Sequence, residues 1–158
     1  RQVMVQDLKK PALWSEICRI FCFDLLIRNF DRKQANPNLL FRTGQGPQMV
    51  LIDHEMAFKH PKQPWKFNKD ERFEMQQHLC FAPLKEKLTQ DYSRQTQTIH
   101  AFMNEVDAQI NTNFWQTVQT NVPQSWLKPN DLTAIQQAIA GIIKHKTEFI
   151  KTILEVLT

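Results

Sequence analysis

The feature that most constrains this chain is a segment near its start that is apolar on nearly every face. Residues 12–28 read ALWSEICRIFCFDLLIR, and apolar side chains recur there at helical spacings. These side chains are Leu13, Ile17, Ile20, Phe21, Leu25 and Leu26. A helix that is hydrophobic all round is buried inside a fold. The sequence therefore predicts a core built around a central helix at 12–28.

A loop and a β-hairpin are predicted directly after this helix. The loop, strand, turn and second strand cover 29–38, 39–41, 43–47 and 49–52. The pair Asn36-Pro37 favours an extended or turning backbone over helix, because the residue before proline disfavours the helical region. Asp53 ends the second strand, and an irregular loop runs on to Asn68.

The rest of the sequence is predicted to be helical. Helices are expected at 70–89, at 94–119 and from 131 to the end of the chain. A connector with Trp126 precedes the last helix, and Pro129-Asn130-Asp131 is predicted to supply its cap. The fold class is therefore mainly α with a small β-hairpin, in a single domain covering 1–158.

Composition narrows the functional class. The net charge is +4, but Lys and Arg are mixed with Asp and Glu along the chain, so nucleic acid is not a favoured partner. The sequence has neither the roughly 20 apolar residues of a membrane span nor a signal peptide in its first residues, which favours a soluble, cytoplasmic protein. Cys18, Cys22 and Cys80 are predicted to be buried as small hydrophobes in a reducing compartment.

Three polar residues stand where the predicted elements meet. Asp31 and Asn36 are five positions apart on the loop, and Asp53 follows the second strand. Since hairpin strands are antiparallel, the end of the second returns beside the start of the first, so Asp53 is expected near Asn36. Phosphoryl transfer needs a carboxylate that orients a hydroxyl and oxygen ligands for magnesium. Asp and Asn are also common turn residues, and the ordered series of elements is what favours the functional interpretation.

These segments resemble a known family. The stretches 24–32, 36–40 and 51–54 resemble bacterial HipA-like kinases. They are also similar to type II phosphatidylinositol 4-kinases, in which an Asn-x-Asp-Arg element likewise precedes an Ile-Asp. The detailed resemblance covers 24–58, while the helical remainder fits only in general character. It implies the C-terminal lobe of a protein kinase-like fold and an ATP- and Mg²⁺-dependent phosphotransferase.

The resemblance also implies roles for individual residues. Asp31 would be the catalytic base or hydroxyl-orienting residue, and Asn36 and Asp53 the magnesium ligands. Arg32 and Asn29 are secondary candidates on the cofactor side: Arg32 for phosphate or for a structural bond to a carboxylate, Asn29 for the shape of the loop. The acceptor is expected to be a protein hydroxyl rather than a small molecule. Phe58 and Trp65 are expected to pack against the helices rather than to contact a nucleotide.

Two alternatives stay open. The segments at 36–40 and 51–55 are also similar to aminoglycoside and choline kinases. An enzyme of the aminoglycoside phosphotransferase or phosphatidylinositol 4-kinase type would have a small molecule or a lipid headgroup as its acceptor. Aminoglycoside and choline kinases usually carry His two positions before the catalytic Asp, where this chain has Asn29, and this departure favours the resemblance to HipA-like kinases. Glu55 could reach the metal or be a surface carboxylate. The second alternative is a non-catalytic helical interaction module that retains kinase residues as relics.

The sequence lacks one part that such enzymes need. A Gly-rich loop and a strand Lys normally precede the catalytic loop, and no such segment lies upstream of Asp31. The three glycines are Gly44, Gly46 and Gly141. We therefore expect the N-terminal, nucleotide-covering lobe to lie outside 1–158, and this fragment to be inactive by itself.

Overall fold

The computed structural model describes residues 1–4, 6–42, 48–59, 62–123 and 130–158. Within these ranges it contains seven α-helices, one two-stranded sheet and two short 3₁₀ turns before the first helix. The helices are α1 (Trp14–Leu26), α2 (Lys69–Gln77), α3 (Phe81–Gln90), α4 (Tyr92–Gln109), α5 (Thr112–Asn121), α6 (Asp131–Lys144) and α7 (Lys146–Leu157). The strands are β1 (Leu39–Arg42) and β2 (Gln48–Leu51). The predicted class, mainly α with a small hairpin, is confirmed.

The central helix is α1, as the sequence predicts. Eight of its thirteen residues are buried, and it packs against α3 and α4, with α7 completing the core. Phe21 and Leu25 are fully buried, and burying such a side chain contributes about 1.5–3 kcal/mol. The helix ends at Leu26 because Arg28 takes a left-handed backbone with φ of 55°.

The hairpin follows the predicted pattern. Leu39 lies opposite Leu51 in an antiparallel register, and the Ile52 N–H donates to the Asn38 carbonyl at 3.0 Å. The predicted turn at 43–47 lies outside the described residues. On the other side of β1, the Val3 N–H donates to the Leu39 carbonyl at 2.9 Å. The first residues of the chain therefore pair with the outer edge of β1.

The prediction of one helix at 70–89 is wrong, because the helix breaks between α2 and α3. The break is made at His78, whose backbone has an extended ψ of 138° and forms a bridge with Lys33. The Leu79 N–H then donates to the Arg32 carbonyl at 2.8 Å. Contacts with the loop after α1 thus replace the helical bonds that a continuous helix would make here.

The other two long predicted helices are also divided. The helix predicted at 94–119 becomes α4 and α5, because the Asn111 side chain accepts the Phe114 N–H at 3.1 Å and caps a new helix. The last predicted helix breaks at His145 into α6 and α7. Asn130 occupies the N-cap position of α6, as predicted, but with φ of 73° its side chain makes no cap bond, so the predicted side-chain cap is wrong there. Pro129, the first residue of the predicted cap, lies outside the described residues.

Several smaller predictions can be compared with the described residues. All three cysteines are buried and free, as predicted, and burial raises the pKa of the Cys80 thiol. Trp65 packs against the helical part, as predicted, because its ring stacks on that of His145 with centroids 4.0 Å apart. Phe58, for which the same packing is predicted, is 41% exposed. Trp126 lies outside the described residues. None of the helices described is long and apolar enough to cross a membrane.

Candidate active site

The loop at 27–38, between α1 and β1, is closed by its own backbone bonds. The Asn29 N–H donates to the Asp24 carbonyl at 2.7 Å, which turns the chain back against the end of α1. Lys33 donates to the Asn36 carbonyl, and Asn36 donates to the Lys33 carbonyl, both at 3.1 Å. These two hydrogen bonds fold the polar stretch into a compact turn, so residues five positions apart in sequence become neighbours.

The turn brings Asp31 and Asn36 together on the outer face of the loop. One carboxylate oxygen of Asp31, Oδ2, accepts from Asn36 Nδ2 at 2.8 Å and from Asn38 Nδ2 at 3.3 Å. Because a carboxylate only accepts, both amides turn their nitrogens towards it, and neither amide oxygen accepts a bond from the described residues. Among the described residues no donor bonds Asp31 Oδ1. The half-buried carboxylate is therefore fixed through one oxygen and open at the other.

Asp53 lies where β2 leaves the sheet. It directly follows Ile52, whose N–H is bonded to Asn38, and Asn38 is two residues from Asn36. The Asp53 side chain is exposed, and its Oδ1 accepts the Glu55 N–H at 3.4 Å. The hairpin thus returns Asp53 to the end of the sheet at which the loop enters β1.

The chemistry of these side chains suits a hard cation. Magnesium prefers oxygen ligands and is usually held by one or two carboxylates together with substrate phosphates. Asp53 offers a carboxylate, and Asn36 offers an amide oxygen that faces away from Asp31. In the part of the chain that the structure describes, no three His, Cys, Asp or Glu side chains converge on one metal position. Asn36 and Asp53 therefore carry oxygen atoms of the kind that magnesium prefers as ligands.

Left-handed backbone conformations cluster around this site. Five described non-glycine residues have positive φ, and the four at or near it are Arg28, Asn38, Asp53 and Phe58. Such conformations are uncommon for non-glycine residues, although Asn and Asp tolerate them better than most. They persist where surrounding contacts hold them, and they concentrate at functional sites.

The inner face of the loop is a buried polar network centred on Asp24 of α1. Asp24, Asn29 and Arg32 are each 0% exposed within the core. Arg32 donates to Asp24 through Nε at 2.6 Å and through Nη2 at 3.2 Å, and Asn29 Nδ2 donates at 3.1 Å. Burial acts to raise the pKa of the Asp24 carboxyl, but the bonds from His78 and Arg32 outweigh it and lower that pKa. The carboxylate is therefore kept ionised inside the core.

Arg32 also reaches the end of the loop. Its Nη1 donates to the Pro37 carbonyl at 3.3 Å and makes a second, short bond to the Asn38 carbonyl. One planar guanidinium thus connects α1 with the residues that enter β1, and a rigid fork of donors suits this task. All three guanidinium nitrogens are occupied by protein acceptors.

His78 completes the network from the break between α2 and α3. Its Nε2 lies 3.1 Å from Asp24 Oδ2, and its Nδ1 accepts the Cys80 N–H at 3.0 Å. The ring packs edge-on against Phe21 with centroids 5.0 Å apart. The His78 side chain is 1% exposed, so these contacts enclose it.

A second anchor holds the segment that follows Asp53. Arg28 is 2% exposed and donates to the carbonyls of Pro64 at 2.9 Å and Lys66 at 2.8 Å. It is also paired with Glu71 and lies over the Phe67 ring at 4.4 Å. Burial lowers the pKa of Arg28 against the opposing effect of Glu71. The segment beyond Asp53 is thus fastened to the residue that precedes Asn29.

The structure separates the residues singled out from the sequence into two groups. Asp31 and Asn36 share a hydrogen bond on the outer face, and Asp53 lies at the adjoining end of the sheet. Arg32 and Asn29 are buried, and their side chains contact protein groups.

Sequence reasoning did not single out Asp24, Asn38 or His78. Asp24 carried a usable signal, because it is a lone carboxylate in an otherwise apolar stretch and a buried charge requires partners. His78 carried none, because it fell inside a predicted helix.

Comparison with known proteins adds one finding. A family model described as HipA-like kinase matches residues 3–155. Searches of curated proteins and of solved structures gave no match. The matched range includes the loop, the hairpin and the helices that enclose the Asp24 network.

Proposed function

Because the chain belongs to the HipA-like kinase family, we propose that the outer face of its loop transfers phosphate from ATP, with Mg²⁺, to a hydroxyl acceptor. In this proposal the fold is the C-terminal lobe of a protein kinase-like enzyme. The family supports a kinase-type phosphotransferase, and the geometry of the loop supports the individual roles.

The state of the Asp31 carboxylate carries the proposal. Two amides hold Oδ2, while Oδ1 accepts no bond from the described residues and remains able to accept a hydroxyl proton. A hydroxyl-orienting residue needs this combination, because positioning accounts for much of the catalysis in phosphoryl transfer. Asp31 would hold the acceptor hydroxyl in line with the phosphate.

Asn36 and Asp53 are proposed to hold the magnesium ion. The bound ion would neutralise charge on the phosphates. The side chains contribute the amide oxygen that Asn36 turns away from Asp31 and the exposed carboxylate of Asp53. We assign Arg32 and Asn29 to the support of the loop, because their buried side chains already bond protein groups.

A protein hydroxyl is the proposed acceptor, on the basis of the resemblance to HipA-like kinases. A screen of protein, aminoglycoside and phosphatidylinositol acceptors with the full-length protein tests this choice. Transfer to protein substrates alone is expected. Preferential transfer to either of the other acceptors would reassign the substrate class while leaving the reaction intact.

Turnover of an Asp31→Asn variant tests the reaction itself. In the full-length protein, Asp31→Asn should lower the rate of phosphate transfer about 10²–10⁴-fold, the usual contribution of a positioned acid–base group. The unfolding midpoint in urea should change little, because Asp31 lies on the solvent side of the loop. Asp70→Asn provides a matched control at an exposed carboxylate of α2 and should keep the wild-type rate. Equal turnover by Asp31→Asn and wild type would refute the assignment.

A further inference from the structure

The buried side of the loop is supported by a side chain from a distant part of the sequence. We propose that His78 is a positioning residue for phosphoryl transfer, acting through Asp24 to hold Asp31 in its catalytic orientation. The inference rests on the proposed function, because it assigns a role in the same reaction. His78 stands between α2 and α3, and it is 54 residues from Asp24 in sequence.

The hydrogen bonds of His78 fix its tautomer. Nδ1 accepts the Cys80 N–H at 3.0 Å, so this nitrogen carries no proton. The proton is therefore on Nε2, which donates to Asp24 Oδ2 at 3.1 Å. The bond from the Cys80 backbone thus orients the ring and keeps its donor directed at Asp24.

Asp24 is saturated by four donor contacts. Oδ1 accepts from Asn29 Nδ2 at 3.1 Å and from Arg32 Nη2 at 3.2 Å. Oδ2 accepts from Arg32 Nε at 2.6 Å and from His78 Nε2 at 3.1 Å. A carboxylate has about four lone-pair positions, so the loss of the His78 donor leaves one unsatisfied in the core. The carboxylate can then rotate, and Asn29 and Arg32 must follow it.

Two connections carry this rotation to Asp31. Asn29 Oδ1 accepts the Asp31 N–H at 3.4 Å, which ties the Asp31 backbone to the network. Arg32 donates to the Asn38 carbonyl, and the Asn38 side chain holds Asp31 Oδ2 at 3.3 Å. Hydrogen bonds through Asn29 and Arg32 thus connect both the backbone and the carboxylate of Asp31 to Asp24. A displacement of about 1 Å at a reacting group can cost roughly 10²-fold in rate.

The backbone around His78 supports the same role. The chain forms a bridge between Lys33 and His78, and the Leu79 N–H donates to the Arg32 carbonyl at 2.8 Å. The ion pair of Lys33 with Glu74 of α2 adds a contact at 2.6 Å on the surface. The break between α2 and α3 therefore brings His78 to the catalytic loop, where a continuous helix would not.

Two substitutions separate positioning from packing. His78→Gln retains an amide donor near the position of Nε2 and an acceptor for Cys80, whereas His78→Phe fills a similar volume against Phe21 without the donor. In the full-length protein, His78→Phe should lower kcat about tenfold or more while KM for ATP changes less than about threefold. His78→Gln should restore kcat to within about threefold of wild type, because it restores the donor.

A second measurement reports positioning without turnover. In ¹H–¹⁵N NMR spectra of the full-length protein, His78 should show the neutral Nε2-protonated tautomer. The Asp31 amide signal should shift in His78→Phe and return towards its wild-type position in His78→Gln. This reading holds even if wild type transfers no phosphate, a result that would refute the proposed function alone. Wild-type kcat in His78→Phe, loss of kcat only in proportion to unfolded protein, or an Nδ1-protonated tautomer would each overturn the positioning role.

Discussion

The two faces of the loop at 27–38 differ in how fully their polar groups are satisfied. On the inner face, Asn29 and Arg32 give their side-chain donors to Asp24 and to backbone carbonyls. On the outer face, neither Asp31 Oδ1 nor the Asn36 amide oxygen accepts a bond from the described residues, while Asn36 Nδ2 donates to Asp31 Oδ2. A saturated group has nothing left to offer a ligand, while a group fixed by only some of its atoms is both oriented and available.

This difference assigns separate tasks to adjacent residues. Asp31 is half-buried and faces the solvent side, while Arg32 is 0% exposed and faces the core. A site of this kind needs its reactive groups held by neighbours whose own positions are fixed. We therefore expect substitutions on the inner face to cost stability first, and substitutions on the outer face to cost activity first.

The largest effect on stability is expected from Asp24→Asn. The variant leaves Arg32 as a buried charge without its partner, and breaking a buried pair on one side costs about 3–5 kcal/mol. The free energy of unfolding, measured by urea denaturation, should fall by this amount. Asp107→Asn is the matched control, because Asp107 forms an exposed pair with Lys146 and should cost less than about 1 kcal/mol. Equal losses in the two variants would erase the distinction between the faces.

A smaller effect is expected from pH. The folded-state pKa of Asp24 lies below its unfolded value, since the bonds from His78 and Arg32 outweigh burial. Its contribution to stability is therefore complete above the unfolded value of about 3.9 and is lost as pH falls from there through the folded pKa. The free energy of unfolding should decline more steeply below pH 4 in wild type than in Asp24→Asn. Urea titrations at pH 5 and pH 3 provide the comparison.

A second carboxylate, Asp7, also contributes to the pH dependence of stability. The bonds from Arg1, the Met4 N–H and Lys10 lower the pKa of Asp7 as well, so it contributes to the acid dependence of both proteins. Only the difference in the free energy of unfolding between wild type and Asp24→Asn gives the pH dependence that is due to the Asp24 network. Parallel curves for the two proteins would show that Asp24 is not held ionised by its neighbours.

Much of the local architecture around the site could be predicted from the sequence. The continuous apolar pattern before Arg28 identified α1. The order of the elements that follow, a polar loop and then two short strands, was also predicted correctly. Antiparallel pairing then accounts for Ile52 bonding Asn38. These features follow from local patterns, which short segments specify by themselves.

The supporting network could not be predicted in the same way. His78 meets Asp24 across 54 residues, and its backbone leaves the helix to do so. Apolar side chains recur on both sides of such a break, so their spacing does not reveal it. The cap at Asn111, inside the helix predicted at 94–119, was missed for the same reason. The sequence pattern of one segment does not contain the tertiary contacts that override its helix propensity.

In the proposed function, the outer face of the loop, with Asp53 at its edge, binds the metal and the nucleotide. Electron paramagnetic resonance of Mn²⁺, a stand-in for Mg²⁺, measures ATP-dependent metal binding by the full-length protein without requiring turnover. Wild type and the control Asp70→Asn should bind Mn²⁺ with ATP equally well, and Asp53→Asn should bind about tenfold more weakly or worse, a loss of about 1.4 kcal/mol. Binding by Asp53→Asn as tight as that of wild type would contradict the proposed role of Asp53.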